Sequence, residues 1–513
     1  MLLRVMALLS VFFLYLFFIS SCSSYSDTDN SYRDSSMQRG KALASVYCGS
    51  CHLLPDPSLL DKKTWMKGVL PGMAPRLGIF EFKGKQYPSS IDDENISKTY
   101  YPKTPLLDTL QWGDILNYYV LSAPNTLPLQ ARHEAIKEGI PGFTIQTPFS
   151  HYMVPATSLV SIDTSVADHR LIIADAYTEK ILFFNKQAVL TDSIYAGGQV
   201  VDICFDANDV IACNMGYMHP NDAKLGSIQR LSFIKNKASH PAKPTSFITR
   251  LARPVQIIKA DLNQDKRNDY LICEFGNLEG ALIWMEGKGK GTFSKHVLRA
   301  APGAIKAIVQ DYNHDGLPDI LALFTQGEEG IFLFTNKGNG TFDEQVLLRF
   351  PPVYGSSSFE LADFNADGNP DILYTCGDNG DYSPILKPYH GVYIFLNYGP
   401  RHYKQKYFFP IHGCFKALAR DFDGDGDLDI ATISFFPNPK APNAEGFIYL
   451  QNQNNFDFQP YSLPQSSHRW LTMDAGDLDG NGKADIVLGN FNLNAPDATG
   501  KKNPSFLILK NIK

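Results

Sequence analysis

The sequence has no large basic block, and its 47 lysine and arginine residues are outnumbered by 53 aspartate and glutamate residues. Nucleic acid is therefore not an expected partner, because binding to phosphates needs a concentrated positive surface. Cysteine is also scarce, with eight in 513 residues and none between Cys51 and Cys204. This gap argues against a structural zinc site at Cys48 and Cys51, which would need two further ligands nearby.

Long apolar runs are nearly absent as well. The one candidate covers residues 5–19 and follows Arg4. Its 15 residues are short for a membrane-spanning helix, which needs about 20, but they suit an export signal. The stretch ends in Ser20-Ser21-Cys22, which resembles the bacterial lipoprotein box. An uncleaved anchor helix, or an ordinary signal with an incidental cysteine, remains the alternative.

The lipoprotein resemblance implies removal of residues 1–21 and lipidation of Cys22. Ser23, in place of aspartate, favours the outer membrane in the Gram-negative sorting pattern that this resembles. We therefore expect a lipid-anchored protein of the cell envelope, on either face of the membrane. Residues 22–36 are mostly small and polar, so they are predicted to form a flexible tether.

The segment Cys48-Gly49-Ser50-Cys51-His52 is the most specific motif in the chain. Two cysteines three positions apart, followed directly by histidine, are typical of c-type haem attachment. Each thiol forms a thioether to a haem vinyl group, and the adjacent imidazole ligates the iron. The alternative interpretations are a structural disulfide or half of a zinc site.

Residues 37–125 are predicted to form the haem domain. Residues 37–47 have apolar side chains at helical spacing, and Gly40 would let this helix approach another closely. A second helix is predicted over 107–121 with Asp108 as its N-cap. A helix leading into C-x-x-C-H, closed by an aromatic-rich helix, resembles small class I cytochrome c domains. The resemblance implies one covalent haem c that carries single electrons.

Methionine is a common second axial ligand of haem iron and raises its reduction potential relative to two histidines. Only Met66 and Met73 lie between the motif and the second helix. Met73 is framed by proline and glycine, which predicts a loop that points the side chain inward. Met66 lies in a predicted helical turn and is expected to pack in the core. We favour Met73 as the ligand, and a five-coordinate iron is the alternative.

The second half of the chain is a repeat array. Four complete copies of Asp-x-Asx-x-Asx-Gly-x-x-Asp begin at Asp311, Asp363, Asp421 and Asp477, and a weaker copy begins at Asp261. Each copy lies among four short apolar segments, as in one blade of a β-propeller. Two earlier copies, around 159–185 and 201–212, lack the acidic loop. The pattern predicts seven blades over 143–513, with 143–146 completing the last blade, and a linker over 126–142.

The acidic loops have the chemistry of a calcium site, because alternate residues project oxygens toward one point and glycine permits the sharp turn. An Asx-rich turn that holds itself by hydrogen bonds is the alternative. At Asp261 the glycine is replaced by Lys266, so a fifth site there stays open. The predicted ligands are Asp311, Asn313, Asp315 and Asp319; Asp363, Asn365, Asp367 and Asp371; Asp421, Asp423, Asp425, the carbonyl of Asp427, and Asp429; and Asp477, Asp479, Asn481 and Asp485.

These loops resemble the FG-GAP/VCBS repeats of integrin-like propellers, in which such sites are structural. The expected protein is thus multidomain, with a small all-α cytochrome c-like domain followed by an all-β seven-bladed propeller. It would carry electrons for an unidentified redox partner, and the propeller would bind a protein or carbohydrate ligand.

Two other functions remain open for the propeller. It could contain a dehydrogenase active site that passes electrons to the haem, or it could bind or cleave an extracellular polysaccharide through loops such as 377–391. Only Trp284 and Trp470 lie in the repeats, so the tryptophan-docking signature of eight-bladed quinone enzymes is absent. No catalytic triad, P-loop or zincin helix stands out, and whether the chain is an enzyme stays undecided.

Overall fold

The structure is a computed structural model. It describes residues 32–132, 134–148, 154–166, 168–206, 209–232, 244–380, 382–438, 440, 445–463, 469–493 and 504–513. The predicted signal 1–21 and lipidation site Cys22 lie outside this part of the chain. Contacts divide the chain into two compact units, one comprising Met1–Ile91 and Lys98–Leu127 and the other comprising Asp92–Ser97 and Pro128–Lys513. Among the described residues, no helix combines the length and apolar character needed to cross a membrane.

The first unit is mainly helical. A helix over 32–47 leads into the C-x-x-C-H motif, and a helix over Thr109–Ser122 ends the unit. Asp108 caps the second helix with a full capping box, as the sequence predicts. The intervening elements are helical turns over Pro57–Leu59, Lys62–Thr64, Trp65–Val69, Leu70–Met73 and Ala74–Leu77, and a small hairpin of Glu81–Phe82 and Lys85–Gln86.

The two long helices touch at Gly40. A Cβ atom built on Gly40 would lie 2.0 Å from the backbone oxygen of Asp114, so only glycine allows this approach. Beside the contact, the Ser36 hydroxyl donates to Asp114 over 2.5 Å and the Arg39 guanidinium donates to it over 2.7 Å. The hydrogen bond from Arg39 holds the pKa of Asp114 below its ordinary value. The predicted close approach at Gly40 is confirmed, and its partner is Asp114.

Substituting Gly40→Ala should destabilise the helical unit, because the added methyl overlaps the backbone of the facing helix. We expect a loss of about 1–3 kcal/mol, the usual cost of overpacking, measured by urea unfolding followed by circular dichroism. Gly113→Ala is the matched control, since the new Cβ would meet only Phe82 at 3.8 Å. An unchanged midpoint for Gly40→Ala would contradict the helix crossing.

The predicted tether ends earlier than position 36. Residues 32–36 already belong to the helix, and Ser36 is fully buried. Polar composition alone suggested disorder, but Ser36 and Arg39 find a buried carboxylate on a helix that is remote in sequence. Hydrogen bonds to a charged partner offset the low hydrophobicity of this segment.

The second unit is a propeller of seven four-stranded antiparallel blades, with one additional short strand. Blade 1 comprises Thr157–Asp163, Arg170–Asp175, Lys180–Asn185 and Leu190–Tyr195; blade 2, Val200–Asp206, Asp209–Asn214, Gly226–Ser232 and Thr245–Leu251; blade 3, Pro254–Ala260, Asp269–Glu274, Ala281–Gly289 and Thr292–Arg299; and blade 4, Ala304–Gln310, Asp319–Phe324, Gly330–Asn336 and Phe342–Arg349. Blade 5 comprises Ser356–Ala362, Asp371–Cys376, Gly391–Asn397 and Tyr403–Pro410; blade 6, Cys414–Arg420, Asp429–Ser434, Phe447–Asn452 and Phe458–Ser462; and blade 7, Trp470–Gly476, Asp485–Asn490, Phe506–Asn511 and Phe143–Gln146.

The core lies between the blades. Each neighbouring pair of blades encloses its own apolar cluster, including the pair formed by blades 7 and 1. Blades cover both faces of every second strand, so these strands are nearly continuous apolar runs such as Asp319–Phe324, in which every residue is buried. This arrangement explains why short apolar segments, rather than alternating ones, mark the repeats.

The ring closes as the sequence predicts. Phe143–Gln146 pairs antiparallel with Phe506–Asn511 and supplies the outer strand of blade 7. Polar side chains of the inner strands also join successive blades, because each accepts a backbone N–H from the inner strand that follows. Asp202 accepts from Ile257 and Asp474 accepts from Ile162, at 2.9 and 2.8 Å. The Asp474 bond spans the junction between blades 7 and 1.

The predicted linker over 126–142 is largely attached to the propeller. Its strand Lys137–Glu138 pairs in parallel with Tyr461 and Ser462 of blade 6. Arg132 donates to the Glu445 carboxylate over 2.7 Å, and Gln130 donates to the His390 carbonyl over 2.8 Å. The sequence pattern could not reveal these contacts, because their partners are remote in sequence.

Cys204 and Cys213 lie on adjacent strands of blade 2, where Cys204 faces Ile211 and Cys213 faces Asp202. They are not paired to each other, and every cysteine among the described residues is a free thiol. Cys213 is a buried free thiol, and Cys204 is a partly buried one.

Candidate functional site

The C-x-x-C-H segment forms a tight turn directly after the helix over 32–47. The Cys48 N–H donates to the Ala44 carbonyl over 2.9 Å, and the Cys51 N–H donates to the Cys48 carbonyl over 3.4 Å. The turn brings both cysteines beside His52. Both thiols are free, so the disulfide alternative is not what the structure contains.

Burial raises the pKa of the Cys48 thiol to about 11. The group is therefore a thiol at neutral pH, which is unlike the thiolates of cysteine nucleophiles and redox sensors. This argues against a thiolate nucleophile at Cys48.

His52 makes a local contact through one of its ring nitrogens. Its Nδ1 lies 3.0 Å from the Leu53 carbonyl. A hydrogen bond from Nδ1 to this carbonyl selects the tautomer whose Nε2 lone pair is available for a metal, which is the usual arrangement of histidine ligands. Burial, aided by the charge of Arg76, lowers the pKa of His52 and so favours the neutral form.

Aromatic side chains support the motif. Trp65 and Tyr119 are buried with ring centroids 4.4 Å apart, and the Tyr119 hydroxyl donates to the Pro55 carbonyl over 3.3 Å. The Trp65 indole N–H donates to the Pro57 carbonyl over 2.8 Å. The segment that follows His52 is thus hydrogen-bonded to the helical turn Trp65–Val69 and to the helix Thr109–Ser122.

The two methionines differ from the sequence expectation. Met73 ends the helical turn Leu70–Met73 instead of lying in a loop, and it is half-buried. Pro71 lies within a continuous helical stretch, because Val69 and Leu70 before it already have helical backbone angles. Met66 is 45% exposed, so the prediction that it packs in the core is wrong. Arg76, whose charge acts on His52, follows Met73 by three residues on the same helical face.

The acidic loops of blades 3 to 7 share one backbone conformation. The first aspartate accepts the N–H groups of the fifth and sixth residues, for example Asp311 from Asp315 and Gly316 at 3.0 and 2.9 Å. These bonds are those of the Asx-turn alternative, and they also gather the alternate side chains on one side of the loop. The backbone of each loop is thus held by hydrogen bonds within the loop.

The ninth loop position anchors each loop to its blade. Its aspartate is fully buried, and both of its oxygens accept backbone N–H groups. One oxygen accepts from the second loop residue over 2.9–3.2 Å, and the other accepts from the third strand over 2.7–2.8 Å. The five aspartates are Asp269, Asp319, Asp371, Asp429 and Asp485.

Carboxylates converge most closely in the loops of blades 6 and 7. In each loop, three carboxylate oxygens lie within 4.8 Å of one another, from Asp421, Asp423 and Asp429 and from Asp477, Asp479 and Asp485. Hard oxygen donors at such spacing are the ligands that calcium prefers. In the loops of blades 4 and 5, position 3 of the loop is an asparagine. Its side-chain amide donates to the aspartate at position 5 over 2.9 and 3.0 Å.

The loop at Asp261 has a positively charged side chain within it. Lys266 adopts a left-handed backbone at φ 65°, which the usual glycine would adopt without strain. The Arg267 guanidinium lies 3.3 Å from the Asp265 carboxylate. Because an arginine already offsets part of the loop's charge, this loop is the poorest calcium candidate of the five.

Two lysines near the end of the chain were missed by sequence reasoning. The Lys513 ammonium lies 2.8 Å from Asp423, and the Lys510 ammonium lies 3.8 Å from Asp479. Asp423 and Lys513 are 90 residues apart, and no local pattern links them. Only the packing of blade 7 against blade 6 brings them together.

The acidic loops all connect inner to second strands, so they lie on one face of the propeller. Antiparallel order places the loops between second and third strands on the opposite face. That face carries the long connections 215–225 and 377–390. Tyr177, Tyr195 and Tyr217 lie at the same face and are 67, 62 and 57% exposed.

The repeats match a known family model. Residues 261–322, 311–374 and 421–488 match the FG-GAP-like repeat. The propeller carries FG-GAP-like repeats. The matched segments cover blade 4 and parts of blades 3, 5, 6 and 7, and they contain the four complete acidic loops.

Three known proteins resemble parts of this chain. Cartilage acidic protein 1 of Xenopus tropicalis is 29% identical over 180 residues, which are 33% of this chain and 26% of that protein. Among solved structures, BBS1N in complex with ARL6DN, soaked with mercury, covers 74% of this chain and 98% of its own, with 10% identity and a TM-score of 0.46. Luciferin-regenerating enzyme covers 72 and 95%, with 9% identity and a TM-score of 0.38.

Proposed function

We propose that this chain is a lipid-anchored c-type cytochrome of the cell envelope whose FG-GAP-like propeller binds a partner and is stabilised by calcium. The observation that carries the haem assignment is the orientation of His52, with Nδ1 on a backbone carbonyl and two free thiols in the preceding turn. Haem c, when bound, supplies one-electron redox chemistry. Cys48 and Cys51 would hold it covalently, and His52 with Met73 would ligate its iron.

The role in electron transfer can be tested on the protein as a cell makes it. Membranes from a bacterium that produces the full chain should show a c-type reduced-minus-oxidised difference spectrum that copurifies with this protein. Adding candidate sugars, alcohols and protein donors separates the possible propeller functions. Rapid haem reduction by a small substrate would indicate a dehydrogenase, and a purified chain without haem absorbance would refute the cytochrome assignment.

Substituting Met73→His should lower the reduction potential, because replacing a thioether by an imidazole removes the ligand type that raises it. Potentiometric titration monitored by haem absorbance measures the shift. Met66→His is the control, since this exposed residue lies in the neighbouring helical turn and should leave the potential unchanged. An unchanged spectrum and potential in Met73→His would exclude Met73 as the ligand.

For the propeller we propose a binding role on the face opposite the acidic loops. The three exposed tyrosines of blades 1 and 2 present amphipathic rings, which suit protein or carbohydrate contacts. Tyr195 also donates to the Glu179 carboxylate over 2.8 Å, which adds an acidic group to the surface. By contrast, Lys387 and His390 of the 377–390 connection are buried, so that connection is partly structural.

A further inference from the structure

We propose that Lys513 is a built-in competitor that weakens calcium binding at the loop beginning at Asp421. The inference rests on the proposed calcium binding of the acidic loops, and it concerns one site among them. It predicts that the four complete loops fill at different calcium concentrations.

The contact itself is direct. The Lys513 ammonium donates to Oδ2 of Asp423 over 2.8 Å, and the Gln451 amide donates to the same oxygen over 2.6 Å. The Asp423 side chain is 5% exposed, whereas that of Lys513 is 47% exposed. Calcium lies about 2.3–2.6 Å from its ligand oxygens, so the ammonium and a bound ion would be close neighbours of like charge.

The other loops differ in charge. The Asp421 loop has four aspartates at ligand positions 1, 3, 5 and 9, whereas the other complete loops have three. With Lys513 counted, the charge at these four positions falls to that of the other loops, and Asp427 at position 7 adds one further negative charge to the Asp421 loop. No lysine or arginine forms a salt bridge with Asp311, Asp315, Asp363 or Asp367 among the residues the structure describes. In the Asp477 loop, Lys510 is at the more distant 3.8 Å. Lys513 therefore offsets the one loop whose donor set is strongest.

The Asp421 loop contacts the strands that close the propeller ring. Asn511 donates from its amide to the Phe422 carbonyl over 2.6 Å, and the Phe422 ring lies 6.0 Å from that of Phe143 on the closing strand. The loop thus touches both strands that meet where the ring closes. A cation here would stiffen this closure, and Lys513 would set the calcium concentration at which it does so.

The test uses terbium as a calcium substitute on the full chain after chelator treatment. The Tyr449 hydroxyl donates to Asp429 over 2.7 Å, so this tyrosine can sensitise terbium emission at this loop. The part of the signal that is lost in Tyr449→Phe identifies the site. Calcium is then titrated to displace terbium in the wild type, in Lys513→Gln and in Lys513→Arg, which keeps the charge.

We expect Lys513→Gln to bind calcium at this loop roughly tenfold more tightly, from the Coulomb energy of a single and a double charge about 5 Å apart in water. Lys513→Arg should behave as the wild type. Equal affinities in wild type and Lys513→Gln would overturn the inference while leaving calcium binding intact. Absence of any saturable terbium signal or calcium-dependent heat, in Lys513→Gln as well, would instead overturn the calcium assignment.

Discussion

Replacing both Cys48 and Cys51 by alanine is expected to abolish haem staining of the protein after denaturing electrophoresis. Haem held only by iron coordination is released when the protein unfolds, whereas thioether-linked haem stays on the chain. Because both thiols are free and lie in one turn beside His52, each can bond to one side of the same porphyrin. The measurement is peroxidase staining in the gel, with the intact mass of the matured chain as a second readout.

The matched control is Cys204→Ala with Cys213→Ala. These two thiols are also free, but they lie on the strands of blade 2 and precede no histidine. This variant should retain full staining. Persistence of the stain in the Cys48 and Cys51 variant, or unmodified thiols at 48 and 51 in the matured wild type, would refute the cytochrome assignment.

Removal of calcium is the second change with a large expected effect. A ligand at 100 times its dissociation constant stabilises the folded state by about 2.7 kcal/mol per site, and four complete loops are present. Without a cation, the converging carboxylates of the Asp421 and Asp477 loops repel one another. Chelator should therefore lower the melting temperature of the full chain, as followed by calorimetry, and added calcium should restore it.

The chelator effect should depend on pH. Burial raises the pKa of Asp429 from its ordinary value to about 6. A carboxyl whose folded-state pKa is raised stabilises the fold fully below its unfolded pKa, and this contribution is lost as pH rises through about 6. Chelator should thus lower the melting temperature more at pH 7.5 than at pH 5. An unmoved transition at both pH values would count against calcium.

The repeat architecture could be predicted from the sequence because it is local. Blades 3 to 7 each repeat an apolar segment, an acidic loop and a further apolar segment, and the last aspartate of the loop, such as Asp319 or Asp371, has the same register in each of these copies. The closing strand was also predictable, because a blade with three strands leaves one edge that 143–146 can fill. The capping of the helix by Asp108 involves only residues 108–111, so it could be predicted without tertiary information.

Contacts between distant segments were not predictable. Lys513 and Asp423, Ser36 and Asp114, and Arg132 and Glu445 are each joined by the packing of separate elements. Met73 was placed in a loop because Pro71 and Gly72 usually break helices, but the helical backbone continues through both after the π-helical turn Trp65–Val69. Met66 was assigned to the core because it lies in a predicted helical turn, and the structure leaves this residue 45% exposed.

The sequence by itself determined that the chain has a C-x-x-C-H motif, a seven-fold repeat and acidic loops with oxygen donors at alternate positions. Those features depend on residue type and short spacing, which can be read directly from the sequence. The tertiary structure alone decided which thiols stay unpaired and which loop has a lysine beside its carboxylates. Those features depend on distances between atoms that only folding brings within a few ångströms.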